Sequence, residues 1–128
     1  MATPKLTDDH EKLPTRDTQQ LMIRNLSCWR NPKSNHNTPA TLKDISLHVN
    51  QGELLVVMGS SGSGKTSLLR VIAGLEKNCQ GEMYLQDKLI QTNQKILVPT
   101  EKRGIGFIFQ DYALFPHLTV YQNIQFGL

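Results

Sequence analysis

The sequence has no long hydrophobic run and only two cysteines. Its longest uninterrupted apolar stretch, residues 54–58, is far shorter than the roughly 18 residues that a membrane-spanning helix needs, so we expect no bilayer crossing. Cys28 and Cys79 form no C-x-x-C pair and no metal-ligand spacing, which favours two buried thiols in a reducing compartment. No apolar segment typical of a secretory signal opens the chain, and residues 1–19 are predicted to be a mobile polar tail.

The sequence also lacks a strong charge of either sign. Its 14 Lys and Arg residues stand against 11 Asp and Glu residues, a formal net charge of +3. This bias is too small to predict a nucleic-acid partner from the electrostatic field alone. A length of 128 residues accommodates one hydrophobic core and leaves no room for a second domain of ordinary size.

Two parts of the chain, residues 21–49 and 81–90, predict antiparallel strand pairs. Apolar residues alternate along a first strand that has a slip near Asn25. The Asn-, Pro- and Ser-rich residues 30–39 predict a hairpin loop leading to a second strand near residues 41–49. Residues 81–90 predict two further short strands that reverse direction at residues 86–88.

Two other segments predict buried strands of a parallel sheet. "ELLVVMG", residues 53–59, has an all-apolar centre, and "GIGFIFQ" runs to Gln110. Pro99 and the "TEKR" that follows it, residues 100–103, predict a surface loop just before the second of these strands.

Two helices are predicted. The first follows Lys65, ends near Gly74 and is expected to pack on the sheet. Thr119 and Gln122 have capping-box spacing, so a second helix is predicted to start near Val120. The apolar face predicted for the first helix consists of Leu68, Leu69, Ile72 and Leu75.

A glycine-rich loop lies between the first predicted buried strand and the first helix. Gly59, Gly64, Lys65 and Thr66 satisfy G-x-x-x-x-G-K-[ST]. Glycines allow backbone N–H groups to wrap around an anion at a helix start, where the helix dipole favours negative charge. Lys65 adds a charge for the β and γ phosphates, and the Thr66 hydroxyl is suited to bind Mg²⁺. A flexible Gly/Ser linker, the alternative, is disfavoured between a strand and an amphipathic helix.

This loop alone leaves kinases, GTPases, motors and transport ATPases open. Residues 42–76 and 102–128 closely resemble the ATP-binding subunits of ABC-type importers, and the likeness covers nearly all of residues 20–128. Within that family the sequence is most similar to the branch serving ferric iron, with polyamine, sulfate and maltose relatives close behind.

The resemblance implies an α/β fold: a P-loop NTPase core with an N-terminal antiparallel β subdomain. Residues 20–128 would be the N-terminal part of the nucleotide-binding domain, incomplete at the C-terminus. The family's acidic strand end, Leu-Ser-Gly-Gly-Gln signature and switch histidine do not occur in the sequence. Binding of ATP without efficient turnover is therefore expected of this stretch, whether it is a fragment of a longer product or a degenerate copy.

The resemblance also carries over individual residues. Gln110 matches the glutamine that reaches Mg²⁺ and the attacking water, so the resemblance implies a catalytic role alongside Lys65, whereas the chemistry of the residue alone favours a solvated strand end. Trp29 is the candidate to stack on adenine, although the family's spacing puts that aromatic one residue later, at Arg30; a core or surface tryptophan is the alternative. The predicted phosphate contacts are Gly59, Ser60, Ser61, Gly62, Ser63, Gly64, Lys65, Thr66 and Ser67, with Thr66 and Gln110 as metal ligands.

By chemistry alone, an aromatic cluster is predicted to form core around a turn; its members are Tyr112, Phe115, Pro116 and His117. In the family that the sequence resembles, this stretch contacts the transmembrane partner. His117 has no partner at catalytic spacing.

The implied partners are permease subunits, a second ATP-binding subunit and, indirectly, a solute-binding protein outside the membrane, with no nucleic acid. The implied location is the cytoplasmic face of the membrane. Two alternatives stay open: a soluble ABC-type ATPase acting on nucleic acid or ribosomes, and a non-catalytic nucleotide-binding module.

Overall fold

The protein is seen in a computed structural model that describes residues 19–30, 39–111 and 113–126. Five strands in these ranges form one antiparallel sheet in the order β2, β1, β3, β4, β5. No helix of the described residues is long and apolar enough to cross a bilayer. The described elements are β1 (Gln19–Cys28), β2 (Leu42–Asn50), α1 (Lys65–Ala73), β3 (Cys79–Leu85), β4 (Lys88–Thr92), β5 (Lys95–Ile96) and α2 (Val120–Gln125), with a 3-10 turn at Thr100–Lys102.

Strand β1 lies between β2 and β3 and pairs antiparallel with both. The predicted slip near Asn25 is confirmed: the register shifts between Ile23 and Leu26, and Asn25 has φ 49°. The Asn25 N–H donates to Ser46 Oγ at 2.9 Å, which satisfies a donor that the shifted ladder leaves unpaired. Most of the predicted tail, residues 1–18, and residues 31–38 of the predicted hairpin loop lie outside the described residues.

The hydrophobic core lies between one face of the sheet and α1. Leu68 and Val71 of α1 are buried, whereas Leu69 and Leu75, which were predicted to face the sheet, are exposed. That prediction is wrong because α1 has only nine residues and ends before Leu75, and because Leu69 lies about 100° around the helix from Leu68. The buried core residues are Ile23, Leu26, Cys28, Leu42, Leu68, Val71, Cys79, Met83, Ile90 and Val98.

The two predicted parallel strands are absent from the described structure. Residues 53–59 and 104–110 have no regular secondary structure, and Leu54 and Ile108 are 87% and 97% exposed. An apolar strand of a parallel sheet needs hydrogen-bonded neighbours and a layer on each face. The five antiparallel strands pair with one another and none of them pairs with these segments, so the apolar pattern that predicted strands is left exposed.

The connections after β3 are local and largely follow their sequence signals. Gln86 and Asp87 have φ 48° and 62°, the conformation of a tight β turn, which confirms the predicted reversal at residues 86–88. The capping box of α2 is also confirmed, with Thr119 Oγ1 accepting from the Gln122 N–H at 3.2 Å. The surface loop predicted from Pro99 onward is wrong in one respect, because Arg103 is only 4% exposed.

Candidate functional site

A cleft of about 860 Å³ opens between the glycine-rich loop with α1 and the adjoining ends of β1 and β3. This volume is within the range of small-molecule sites. One wall is formed by the start of α1 and the other by residues 28–30 and 76–79. The lining residues are Cys28, Trp29, Arg30, Thr41, Ser61, Gly62, Gly64, Lys65, Thr66, Ser67, Arg70, Val71, Glu76, Asn78, Cys79 and Gln110.

The helix start at the cleft is shaped to receive an anion. Gly64 is the N-cap of α1 with φ 98°, and a Cβ there would lie 2.8 Å from the Leu42 side chain and 3.0 Å from the Thr41 carbonyl oxygen. Only glycine fits this close approach between the loop and the start of β2. No side chain caps this end of the helix, and its first turn holds no acidic residue. The positive end of the helix dipole therefore faces the cleft without a resident negative group.

The Lys65 ammonium lies on the loop itself. Its Nζ donates to the carbonyl oxygens of Gly59 and Ser60, both at 2.7 Å, and to Ser63 Oγ at 3.3 Å. Gly59, Ser60 and Ser63 do not line the cleft directly. They form hydrogen bonds with Lys65, which does line the cleft. These three predicted phosphate contacts therefore lie beside the cleft and not in its lining.

The opposite wall of the cleft is built from the ends of β1 and β3. The Trp29 N–H donates to the Asn78 carbonyl oxygen at 3.0 Å, and Asn78 Nδ2 donates back to the Trp29 carbonyl oxygen at 3.0 Å. Trp29 is half-buried. Beside them, Arg70 Nε donates to Glu76 Oε1 at 3.1 Å, an ion pair that joins α1 to this wall.

The two cysteines also lie in this wall, and they are bonded to each other. Cys28 and Cys79 are opposite residues of the β1–β3 ladder and form a disulfide. The prediction of two separate buried thiols is therefore wrong, although both residues are buried as expected. Their distance in the sequence concealed the pair because the register of β1 against β3 is not visible in a single sequence.

Thr66 and Gln110, the predicted metal ligands, both line the cleft. A threonine hydroxyl and a glutamine amide oxygen are hard oxygen donors of the kind that Mg²⁺ prefers. Among the described residues there is no group of three or more His, Cys, Asp or Glu side chains able to hold a metal ion. The donor set fits Mg²⁺ that arrives with a phosphate ligand, and does not form an all-protein cage.

The loop after Gln110 is held by α2. Asn123 Oδ1 accepts from the Phe115 N–H at 2.9 Å, and Asn123 Nδ2 donates to the carbonyl oxygens of Phe115, Leu118 and Thr119 at 3.0–3.2 Å. The Phe115 ring lies 4.5 Å from that of Phe126. Tyr112, a member of the predicted aromatic cluster, lies outside the described residues. The other three members, Phe115, Pro116 and His117, are all exposed.

Several lining residues were not predicted from the sequence. Arg30, Arg70, Glu76 and Asn78 carry polar groups into the cleft but belong to no motif. The sequence signal for Glu76 and Asn78 is their position just after Gly74, where a helix ends and the chain turns back toward the sheet. The motif residues predicted the wall at the start of α1. The opposite wall is formed by the pairing of β1 with β3, which the motif does not indicate.

Comparison with known proteins identifies the family. Residues 42–126 match the family model described as ABC transporter. That match covers the glycine-rich loop, α1 and Gln110, which all contribute residues to the lining of the cleft. The chain therefore belongs to the ABC transporter family, whose nucleotide-binding domains are P-loop NTPases.

Relatives named for the import of several different solutes are similar in sequence to this chain. The chain is 49% identical over 88 residues to the trehalose/maltose import ATP-binding protein MalK of Thermococcus litoralis, covering 68% of this chain and 24% of the relative. It is 53% identical over 88 residues to the sulfate/thiosulfate import ATP-binding protein CysA of Halalkalibacterium halodurans, covering 68% and 23%. It is 44% identical over 108 residues to the Fe(3+) ions import ATP-binding protein FbpC 2 of Haemophilus influenzae, covering 84% and 30%. The chain thus spans less than a third of the length of these relatives.

Proposed function

We propose that this chain is the N-terminal part of an ATP-binding subunit of an ABC importer and that it binds MgATP in the cleft between α1 and the β1–β3 wall. The observation that carries the proposal is the meeting of an uncapped helix start, Lys65, Thr66, Trp29 and Gln110 around one cleft. The relatives, named as import ATP-binding proteins, support the same class.

In this proposal each residue has a separate task. Backbone N–H groups of the loop residues that line the cleft receive the phosphates, and Lys65 exchanges its carbonyl partners for phosphate oxygens. Thr66 and Gln110 would hold Mg²⁺, which would supply positive charge beside the phosphates. Trp29 faces the base. Gln110 orients water at the γ phosphate, using the acceptor and donor groups of its amide.

ATP hydrolysis and transport are proposed for the whole subunit. Closure of a dimer of ATP-binding subunits around ATP would move the permease, which a solute-binding protein outside the membrane loads, and the subunit would work at the cytoplasmic face of the membrane. Ferric iron is the transported solute proposed from the resemblance of residues 98–124. The relatives carry names of maltose, sulfate, polyamine and iron importers, so they support import more strongly than any one cargo.

Trp29→Ala should weaken ATP binding by about tenfold while leaving the affinity for inorganic triphosphate nearly unchanged, because base stacking is lost and the phosphate loop is intact. Trp29→Phe, which keeps an aromatic face, should lose much less. Isothermal titration of both ligands, with magnesium, measures the difference. An equal loss for ATP and triphosphate would contradict stacking and favour a structural tryptophan.

Permease binding is expected to depend on the loop that Asn123 holds. The chain should be captured with the permease encoded beside its gene, and Asn123→Asp should reduce capture several-fold, because a carboxylate oxygen would face three carbonyl oxygens. The MgATP affinity of the variant should match that of the parent. Gln125→Ala, on the exposed side of the same helix, is the matched control.

The same capture experiment separates the competing functions. Capture of ribosomes or nucleic acid without a permease would favour a soluble ABC-type ATPase. ATP binding without phosphate release by the longest natural product of the gene would favour a non-catalytic module. Failure of MgATP to bind at all would overturn the proposed site.

A further inference from the structure

We propose that Cys28 and Cys79 form a reversible thiol–disulfide switch that tunes the affinity of the cleft for the nucleoside end of ATP. The inference rests on the nucleotide site proposed above and adds its regulation. Three observations carry it: the cysteines are opposite partners in the β1–β3 ladder, they are bonded, and both line the cleft.

The bond lies where the cleft wall is assembled. Trp29 and Asn78, the residues next to Cys28 and Cys79, bond to each other by two hydrogen bonds of 3.0 Å. The Cys28 carbonyl oxygen also accepts from the Thr41 N–H at 2.8 Å, where the chain returns to begin β2. The disulfide therefore fastens the end of β1 to the start of β3 beside the tryptophan proposed to face the base. A wall that is ordered before the ligand arrives loses less conformational entropy on binding.

The opposite end of the ligand site does not depend on this bond. The phosphate loop is held by its own contacts, the hydrogen bonds of Lys65 to the carbonyl oxygens of Gly59 and Ser60 and that of the Ser63 N–H to the Ser60 carbonyl oxygen. Reduction of the disulfide should consequently loosen the nucleoside wall and leave the phosphate cradle in place. This asymmetry separates a switch at the site from a general effect on stability.

The redox step needs only a small-molecule disulfide as the oxidant. One cysteine thiolate attacks the small disulfide, forms a mixed disulfide and releases one small thiolate. The second cysteine thiolate then attacks the protein sulfur of the mixed disulfide, which forms the Cys28–Cys79 bond and releases the second small thiolate. Two electrons pass to the small disulfide, and the two protons lost by the cysteines end on the released thiols. An excess of small thiol reverses both exchanges.

Two features favour a switch over a permanent brace. Disulfides are rare in the reducing cytoplasm proposed for this chain, and those that occur there are mostly transient, catalytic or redox-sensing. Although both residues are less than 6% exposed overall, both border the open cleft, which gives a small thiol a route to the sulfurs. They are the two cysteines of the sequence, so a redox reagent has no other thiol to act on.

The test measures MgATP and magnesium triphosphate affinity of the full chain in oxidised glutathione and in excess dithiothreitol, with thiols counted by alkylation and mass. We expect no free thiols and tighter ATP binding in the oxidised form, two thiols and about fivefold weaker ATP binding in the reduced form, and a triphosphate affinity that changes less than about twofold. The Cys28→Ala/Cys79→Ala double variant should bind ATP like the reduced chain in both buffers. The parent chain in two buffers remains a complete test if the variant does not fold.

Four results would overturn the switch: two free thiols in both buffers, equal ATP affinity in both redox states, an equal change for ATP and triphosphate, or a redox response that persists in the double variant. If ATP bound in neither buffer, the nucleotide site itself would be overturned, and the switch with it. Equal and measurable ATP binding in both redox states would overturn the switch alone.

Discussion

Lys65→Ala should weaken MgATP binding by at least about 30-fold, the largest effect on function expected from any single side chain of the cleft. The Nζ atom is held at the loop by two carbonyl oxygens at 2.7 Å, beside the uncapped start of α1. It is therefore already in place to transfer to phosphate oxygens, and a hydrogen bond between two charged groups is about twice as strong as a neutral one.

The control for this variant is Lys95→Ala, which removes the same charge from an exposed position on β5, outside the cleft. Titration calorimetry with MgATP, paired with urea unfolding of each variant, separates a lost ligand contact from a lost fold. Equal MgATP affinities for the two alanine variants would remove the basis of the phosphate site.

Arg103→Met should lower the free energy of unfolding by about 3 kcal/mol, because buried oxygens lose their donor. Arg103 Nη1 donates to the carbonyl oxygens of Val71 and Ile72 at 3.2 and 2.8 Å, its Nη2 donates to Gln91 Oε1 at 2.9 Å, and its Nε donates to the Val98 carbonyl oxygen at 2.9 Å. Burial lowers the pKa of this guanidinium, which nevertheless keeps its charge at neutral pH.

Arg103→Lys should fall between the parent and the methionine variant, since an ammonium keeps the charge but not the planar set of donors. Arg24→Met is the surface control: Arg24 is exposed and lies over the Tyr84 ring at 5.6 Å, a contact worth about 0.5–1 kcal/mol. Urea unfolding measures all three variants. The assigned role of Arg103 is wrong if Arg103→Met and Arg24→Met unfold at the same urea concentration.

The sequence predicted those parts of the fold that depend on neighbouring residues. The reversal at residues 86–88 and the Thr119–Gln122 capping box each arise from a few adjacent residues, and the slip at Asn25 is visible as a break in the alternation of one strand. Residues 53–59 and 104–110 were mispredicted because strand formation depends on distant partners. Apolar composition records a preference for burial, and it does not supply the neighbouring strand that burial requires.

The candidate site divides in the same way. Motif spacing located Gly64, Lys65 and Thr66, because a loop and the helix that follows it are continuous in the chain. Asn78 and the Cys28–Cys79 bond were missed, since both depend on how β1 aligns with β3. The burial of Arg103 was missed because its partners come from α1, β4 and the chain after β5.

The pairing of β1 with β3 has a consequence for how the protein is made. Cys28 and Cys79 are 51 positions apart, and the glycine-rich loop and α1 lie between them. A nascent chain emerging from the ribosome therefore exposes the whole glycine-rich loop before the second half of the opposite wall has been synthesised. Because long-range strand pairing is slower than local helix and turn formation, the wall proposed to contact the nucleoside should be completed late, when β3 joins the sheet.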